Sequence, residues 1–191
     1  GSNQARDPGF HLAFSDYWAG DGIGTYNAGP TALERSSGLR VFEYSRTLAS
    51  SDYARFRSNH TENGVPVAPG DTIGVRAHLA ASGSNIDYMQ LWLVFRDAAG
   101  AWVSGTAGGV TYDVSSADGS GELDTFVEAS YVGTAPSGAV KAHLEVRCYA
   151  NGSGVTTIRI AQPVIGHIPA DQTVAPTFSG VTGLEATVTT S

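Results

Sequence analysis

The sequence predicts an all-β domain, a sandwich or barrel of about eight strands. Three observations predict it. Residues 67–96 read VAPGDTIGVRAHLAASGSNIDYMQLWLVFR, two runs of apolar–polar alternation around a Gly-Ser loop; period-two alternation marks strands with one face in a core. Turn signals recur roughly every 8–12 residues, the spacing of a sandwich or barrel. No long amphipathic helical segments alternate with these runs, which argues against a doubly wound or barrel α/β fold. Composition agrees: 24 glycines in 191 residues and only 15% charged residues suit a turn-rich sheet protein, and 41% hydrophobic residues suffice for the core of a single domain.

Taken in order, Gly1-Ser2 reads as a cloning scar. Residues 3–38 read as irregular, with Asp-Pro, Asp-Gly and scattered glycines marking loops. Phe10, Leu12 and Phe14 alternate and suggest a short first strand. Residues 39–48 (LRVFEYSRTL) form a strand of ambiguous orientation, because Leu39 and Val41 fall on one face and Phe42, Tyr44 and Leu48 on the other. Residues 52–58 (DYARFRS) suit a strand or a short turn of helix, and Asn63-Gly64 is a turn signal. In the central stretch Ile73, Val75, Ala77 and Leu79 share one face, with Thr72, Arg76 and His78 opposite. In the next run Met89, Leu91, Leu93 and Phe95 share a face, with Tyr88, Gln90, Trp92 and Arg96 opposite. DAAG at 97–100 makes a hairpin turn, and Trp102-Val103 begins the return. Residues 105–121 read as a loop with at most one strand, around 110–114. Strands follow at 122–132, 140–149 and 156–168, separated by turns at 135–138 and 151–154. Residues 170–176 read as a linker. Beyond it Val181, Leu184 and Val188 fall at heptad-like spacing among threonines, which favour strand over helix.

Several functions are argued against by what is missing. A net charge of −7 does not suit nucleic-acid phosphates. No apolar run reaches the ~18 residues of a membrane span. The lone cysteine, Cys148, is in phase with Leu144 and Val146, as a small buried hydrophobe. The five histidines lack metal-ligand spacing. Phosphate-loop, dinucleotide and nucleophile-elbow patterns are absent, so no cofactor is expected. A glycosidase would need two facing carboxylates. Asp87, Asp97, Asp113, Asp118, Glu122, Asp124, Glu128 and Glu145 are the candidates, and most sit in turns, where aspartate belongs on turn chemistry alone. The expectation is a protein that is not an enzyme.

The order of signals is more specific than any one of them. DPGF near the start, VAPGDTIGVRAHLAAS, LWLVFRDAAGAW, TAPSGAVKAHLEVR and the closing TTIRIAQPVIGHI together resemble the carbohydrate-binding modules of the galactose-binding-like jelly-roll superfamily, over roughly residues 5–168. The resemblance implies a jelly-roll β-sandwich at residues 3–169, followed at 170–191 by a linker and the start of a stalk. Many such modules hold a structural calcium through acidic residues at positions that here are His11 and Gln162. Hard cations want carboxylate oxygens, so a module without metal is expected. The closing GLEATVTT resembles the repetitive stalks of tail-tip and host-specificity proteins of tailed phages. That implies a virion or extracellular protein whose partners are a bacterial surface carbohydrate and other tail-protein chains, with a homotrimer seeded by the tail, and without nucleic-acid binding or membrane insertion. Two alternatives stay open: a spacer or trimerisation module that binds no sugar, and a binding module of a secreted polysaccharide-degrading enzyme.

Sugar recognition needs aromatic planes with a few placed polar groups. The non-core parity of the central strands offers Arg76, Tyr88, Gln90, Trp92 and Arg96, and Arg147 alternates with core positions in residues 140–149. If these strands are neighbours in one sheet, they form a polar-aromatic platform; otherwise Trp92 and Tyr88 pack under a loop and the charges form an ordinary solvated face. Trp102 follows a tight turn, where its ring either faces solvent or packs inward, and both readings stay open. Trp18, in the glycine-rich N-terminal segment, either lines the rim or plugs one end of the sandwich, and the plug is favoured.

Overall fold

The computed structural model describes residues 3–6, 10, 17–34, 40–59, 61, 63–103, 110–112, 126–169 and 171–176. The elements among the described residues are all strands: β1 (Trp18–Gly22), β2 (Thr25–Glu34), β3 (Arg40–Leu48), β4 (Tyr53–Ser58), β5 (Val65–Pro66), β6 (Thr72–Ser82), β7 (Ile86–Arg96), β8 (Val110–Tyr112), β9 (Val127–Thr134), β10 (Lys141–Ala150) and β11 (Gly154–His167). They form two antiparallel sheets. The first runs β1-β4-β10-β7-β8, with β5 added beside β10; the second runs β2-β3-β11-β6-β9.

The alternation read from sequence is the physical basis of this sandwich. Met89, Leu91, Leu93 and Phe95 of β7 and Ala142, Leu144, Val146 and Cys148 of β10 pack against Ile73, Val75, Ala77 and Leu79 of β6 and Ile158, Ile160 and Ile165 of β11, all fully buried. The ambiguity of β3 resolves with Phe42, Tyr44 and Leu48 inward. Burial pushes the Cys148 thiol up to about 12, so it is an inert core group.

Two readings from sequence need correction, and two open alternatives, at residues 52–58 and in the pairing of the central strands, are decided. The 3–38 segment is not all irregular, because it contributes β1 and β2. Their glycines are not strand formers, and tertiary pairing decides: β1 is laid along β4 from Trp18–Ser58 to Gly22–Ala54. Gly22 and Gly24 have φ of 127° and 124°, values open mainly to glycine, and their carbonyls accept hydrogen bonds from the buried Arg46 guanidinium. Residues 52–58 contain a strand and no helix. Phe10 is not in a strand: its ring lies in the core, 5.6 Å from Trp18 and 5.8 Å from Phe42, while Leu12 and Phe14 lie outside the described residues. Most important, β6 and β7 do not share a sheet. The loop between them crosses from one sheet to the other. Asn85 secures that corner, donating to the Gly152 and Gly154 carbonyls at 3.1 and 3.3 Å and accepting from the Thr156 hydroxyl at 2.9 Å.

Ala175 and Pro176 lie on the outer face of the second sheet. A Cβ at Gly74 would come within 2.7 Å of Ala175 Cα, so only glycine leaves room there. Arg76 donates to the carbonyls of Ala175 and Pro176 at 3.0 and 3.2 Å and pairs with Glu128. Val181, Leu184 and Val188 lie outside the described residues.

Candidate functional site

The outer face of the first sheet is a grid fixed by strand register. β10 supplies its central column, Lys141, His143, Glu145, Arg147 and Tyr149. β7 places Arg96, Val94, Trp92, Gln90 and Tyr88 directly opposite these. On the other side β4 sets Arg57, Arg55 and Tyr53 opposite Glu145, Arg147 and Tyr149, and β1 sets Asp21 opposite Arg55. One row is therefore three tyrosines, Tyr88–Tyr149–Tyr53, with ring centroids 4.9 and 5.5 Å apart. The next row is Gln90–Arg147–Arg55–Asp21, and the third is Trp92–Glu145–Arg57.

Arg147 is the hub. Its guanidinium lies 4.9 Å from the Tyr53 ring and 5.0 Å from the Trp92 ring, a double cation–π geometry. Its Nε donates to Glu145 Oε2 at 2.6 Å and its Nη1 to the Tyr149 hydroxyl at 3.3 Å. Burial disfavours its charge, but the hydrogen bonds to Tyr149 and Glu145 outweigh that and raise its pKa. Glu145 is wholly buried, so the carboxylate is structural support beneath the arginine and is out of reach of solvent. Arg55 stands 3.6 Å from its other oxygen and is itself gripped by Asp21 through two hydrogen bonds, of 2.6 and 3.0 Å; that grip first, and Glu145 after it, raise the Arg55 pKa. Trp92 Nε1 donates to Gln90 Oε1 at 3.1 Å, and Trp102 meets Trp92 edge-on at 5.9 Å. Trp102 pairs with Arg96 as an isolated bridge and is 38% exposed, because Asp97 closes the preceding turn by accepting from the Ala99 and Ala101 amides.

Of the residues named from sequence, Trp92, Tyr88, Gln90, Arg96, Arg147 and Trp102 share this face. Arg76 does not. With His78 it lies on the second sheet, on the opposite side of the molecule, for the reason given above: the β6–β7 connection changes sheets. Trp18 does not join the face either. It is 1% exposed and stacks on Phe56 at 5.2 Å with the planes 12° apart, so it plugs the core. Sequence reasoning missed Tyr53, Arg55, Arg57 and Asp21. The signal for the first three was present, since Tyr53, Arg55 and Arg57 alternate with Ala54 and Phe56.

Of the two calcium positions implied by resemblance, the described one, Gln162, offers a neutral amide where a hard cation wants carboxylate oxygens. His11 lies outside the described residues. Gln162 has φ of 50° at a bulge between Ala161 and Val164. Beside it Asn3 donates to the Pro163 carbonyl at 3.2 Å and accepts from the Ile165 amide at 3.2 Å. Among the described residues no cluster of three or more His, Cys, Asp or Glu is placed to hold a metal. The expected melting temperature is unchanged by EDTA, and a sharp fall would contradict this.

No protein-family model matches the sequence, and no curated protein sequence does. Solved structures do match. The C-terminal family 22 carbohydrate-binding module of Clostridium thermocellum Xyn10B aligns over 94% of this chain and 98% of its own, with a TM-score of 0.54 and 15% identity. The fold is that of the β-sandwich carbohydrate-binding modules. The CBM61 structure solved with β-1,4-galactotriose aligns over 88% of this chain and 100% of its own, with a TM-score of 0.55 and 11% identity. The enzymatically active domain of bacteriophage CBA120 tailspike protein 4 aligns over 87% of this chain with a TM-score of 0.55 and 15% identity, and the match covers 21% of that longer chain.

Proposed function

We propose that this chain is a non-catalytic carbohydrate-binding module of a phage tail or receptor-binding protein, and that the outer face of the first sheet binds a bacterial surface glycan. The carrying observation is Arg147, held between the Tyr53 and Trp92 rings and hydrogen-bonded to the buried Glu145. A pyranose offers an apolar C–H face and a rim of hydroxyls. The aromatic rows supply planes for the first, and Gln90, Arg147 and Arg57 supply hydrogen-bonding groups for the second. Residues 3–169 are the module, and 170–191 the linker and start of a stalk. The tailspike likeness and the GLEATVTT tail support the phage setting, outside the cell or on the virion, with other tail-protein chains and a homotrimer as partners. A second reading, a module of a secreted polysaccharide-degrading enzyme, is favoured by likeness to the xylanase Xyn10B of Clostridium thermocellum, of whose fragment the match spans 29%.

A glycan array probed with the full chain and with Arg147→Met tests the reading. Binding that the variant loses is the expected result. Absence of binding to any glycan would leave the spacer function instead, and light scattering on the full chain reads the threefold assembly.

A further inference from the structure

The charge on the proposed binding face is uneven. The chain carries 11 lysines and arginines and a net charge of −7, yet Arg55, Arg57, Arg96, Lys141 and Arg147 all fall on the outward parity of this sheet. Two carboxylates accompany them among the described residues. Asp21 is taken by Arg55 and Arg57, at 2.6 and 3.2 Å. Glu145 is buried and taken by Arg147, with Arg55 beyond at 3.6 Å. Arg96 and Lys141 sit opposite each other at the far end of the grid, and neither has a carboxylate partner among the described residues. Arg96 donates instead to neutral acceptors, His143 Nε2 at 3.1 Å and the Gly100 carbonyl at 3.3 Å. Burial depresses its pKa, and Arg57 and Arg55 add to that against the pull of Glu145.

Beside Lys141 the face meets a cavity of about 450 Å³. It is lined by Gln4, Arg6, Thr61, Asn63, Pro66 and Lys141, among others. Of its described lining residues two are cationic and none is acidic. Pro66 of β5 pairs directly with Lys141, so cavity and face adjoin. Half-buried cations without counterions are costly, and a neutral sugar does not relieve that cost. An anion does, and a concave surface of one sign concentrates ligands of the other.

We propose that the Arg96–Lys141 end of the face, with the adjoining cavity, is a subsite for an acidic sugar, so that the ligand is an anionic glycan bearing carboxylate or phosphate-ester groups. This rests on the carbohydrate-binding reading above and names its ligand class. The tyrosine row and Trp92 hold the rings, and the Arg96–Lys141 end reads the charge.

The test is an array of bacterial surface polysaccharides, each printed in native form, after carboxyl reduction and after removal of phosphate esters. It is probed with the full chain, Lys141→Gln and Arg96→Gln. The polysaccharides that bind are expected to be anionic, and removing one class of charge should weaken binding about tenfold. Which treatment does so separates carboxylate from phosphate. Binding should also weaken between about 50 and about 300 mM NaCl as charges are screened, and Lys141→Gln should flatten that dependence. Arg96→Gln should do the same, and if it unfolds, Lys141→Gln carries the test alone, since no described ion pair is lost with it. Binding to neutral polysaccharides, or equal binding after charge removal with no salt dependence, overturns the proposal and leaves the sugar-binding reading standing. Absence of binding to every polysaccharide overturns both.

Discussion

Trp92→Ala is expected to weaken glycan binding on the order of a hundredfold in Kd and to shift the melting temperature by no more than a few degrees. The ring stands on the outward parity of β7 and is half-buried by its neighbours on the face, Arg147 on one side and the Trp102 edge on another. Removing it takes away a stacking plane and also loosens Arg147, which keeps Tyr53, Glu145 and the Tyr149 hydroxyl as partners. The core loses nothing, because the inward neighbours Leu91 and Leu93 are untouched. Calorimetric titration and thermal unfolding of the same sample separate the two effects. A large fall in melting temperature would mean that the ring is structural and would sink its assignment to the binding face.

Trp18→Ala has the reverse profile. The indole is stacked on Phe56 and meets Phe10 edge-on at 5.6 Å, in the buried aromatic cluster that also contains Phe42. Truncating a fully buried aromatic residue to alanine costs about 3–5 kcal/mol, from lost transfer energy and the cavity left behind. For a domain of this size that lowers the melting temperature by roughly 6–20 °C. Glycan affinity measured well below the transition should be unchanged, since Trp18 faces away from the grid. A variant that kept its melting temperature but lost glycan would restore Trp18 to the rim.

The two tryptophans also mark how far the sequence could be read. Alternation in β6, β7 and β10 identified the inward residues correctly, because period two is local to a strand. It could not say which strands are neighbours. Arg76 and Trp92 have the same parity and are separated by one short loop, yet they lie on opposite sides of the molecule, because the Asn85 corner is made by residues about seventy positions away. The signal in β4 was present but short, so Tyr53, Arg55 and Arg57 were passed over. In β1, glycine and aspartate concealed a strand that exists only by pairing with β4. Glu145 was visible as a carboxylate. Its burial beneath Arg147 is a property of the sheet and of no single strand.

The seating of Ala175 and Pro176 on Gly74 and Arg76 has a mechanical meaning. The attachment point lies on the outer face of the second sheet, and the tyrosine–arginine grid on the outer face of the first. Tension applied between a ligand on the grid and the segment at Gly74 therefore crosses the thickness of the sandwich, about 10 Å between sheets, instead of running along a strand. Such a load draws one sheet away from the other and is opposed by the whole interlocked core at once. It does not unzip a ladder one hydrogen bond at a time.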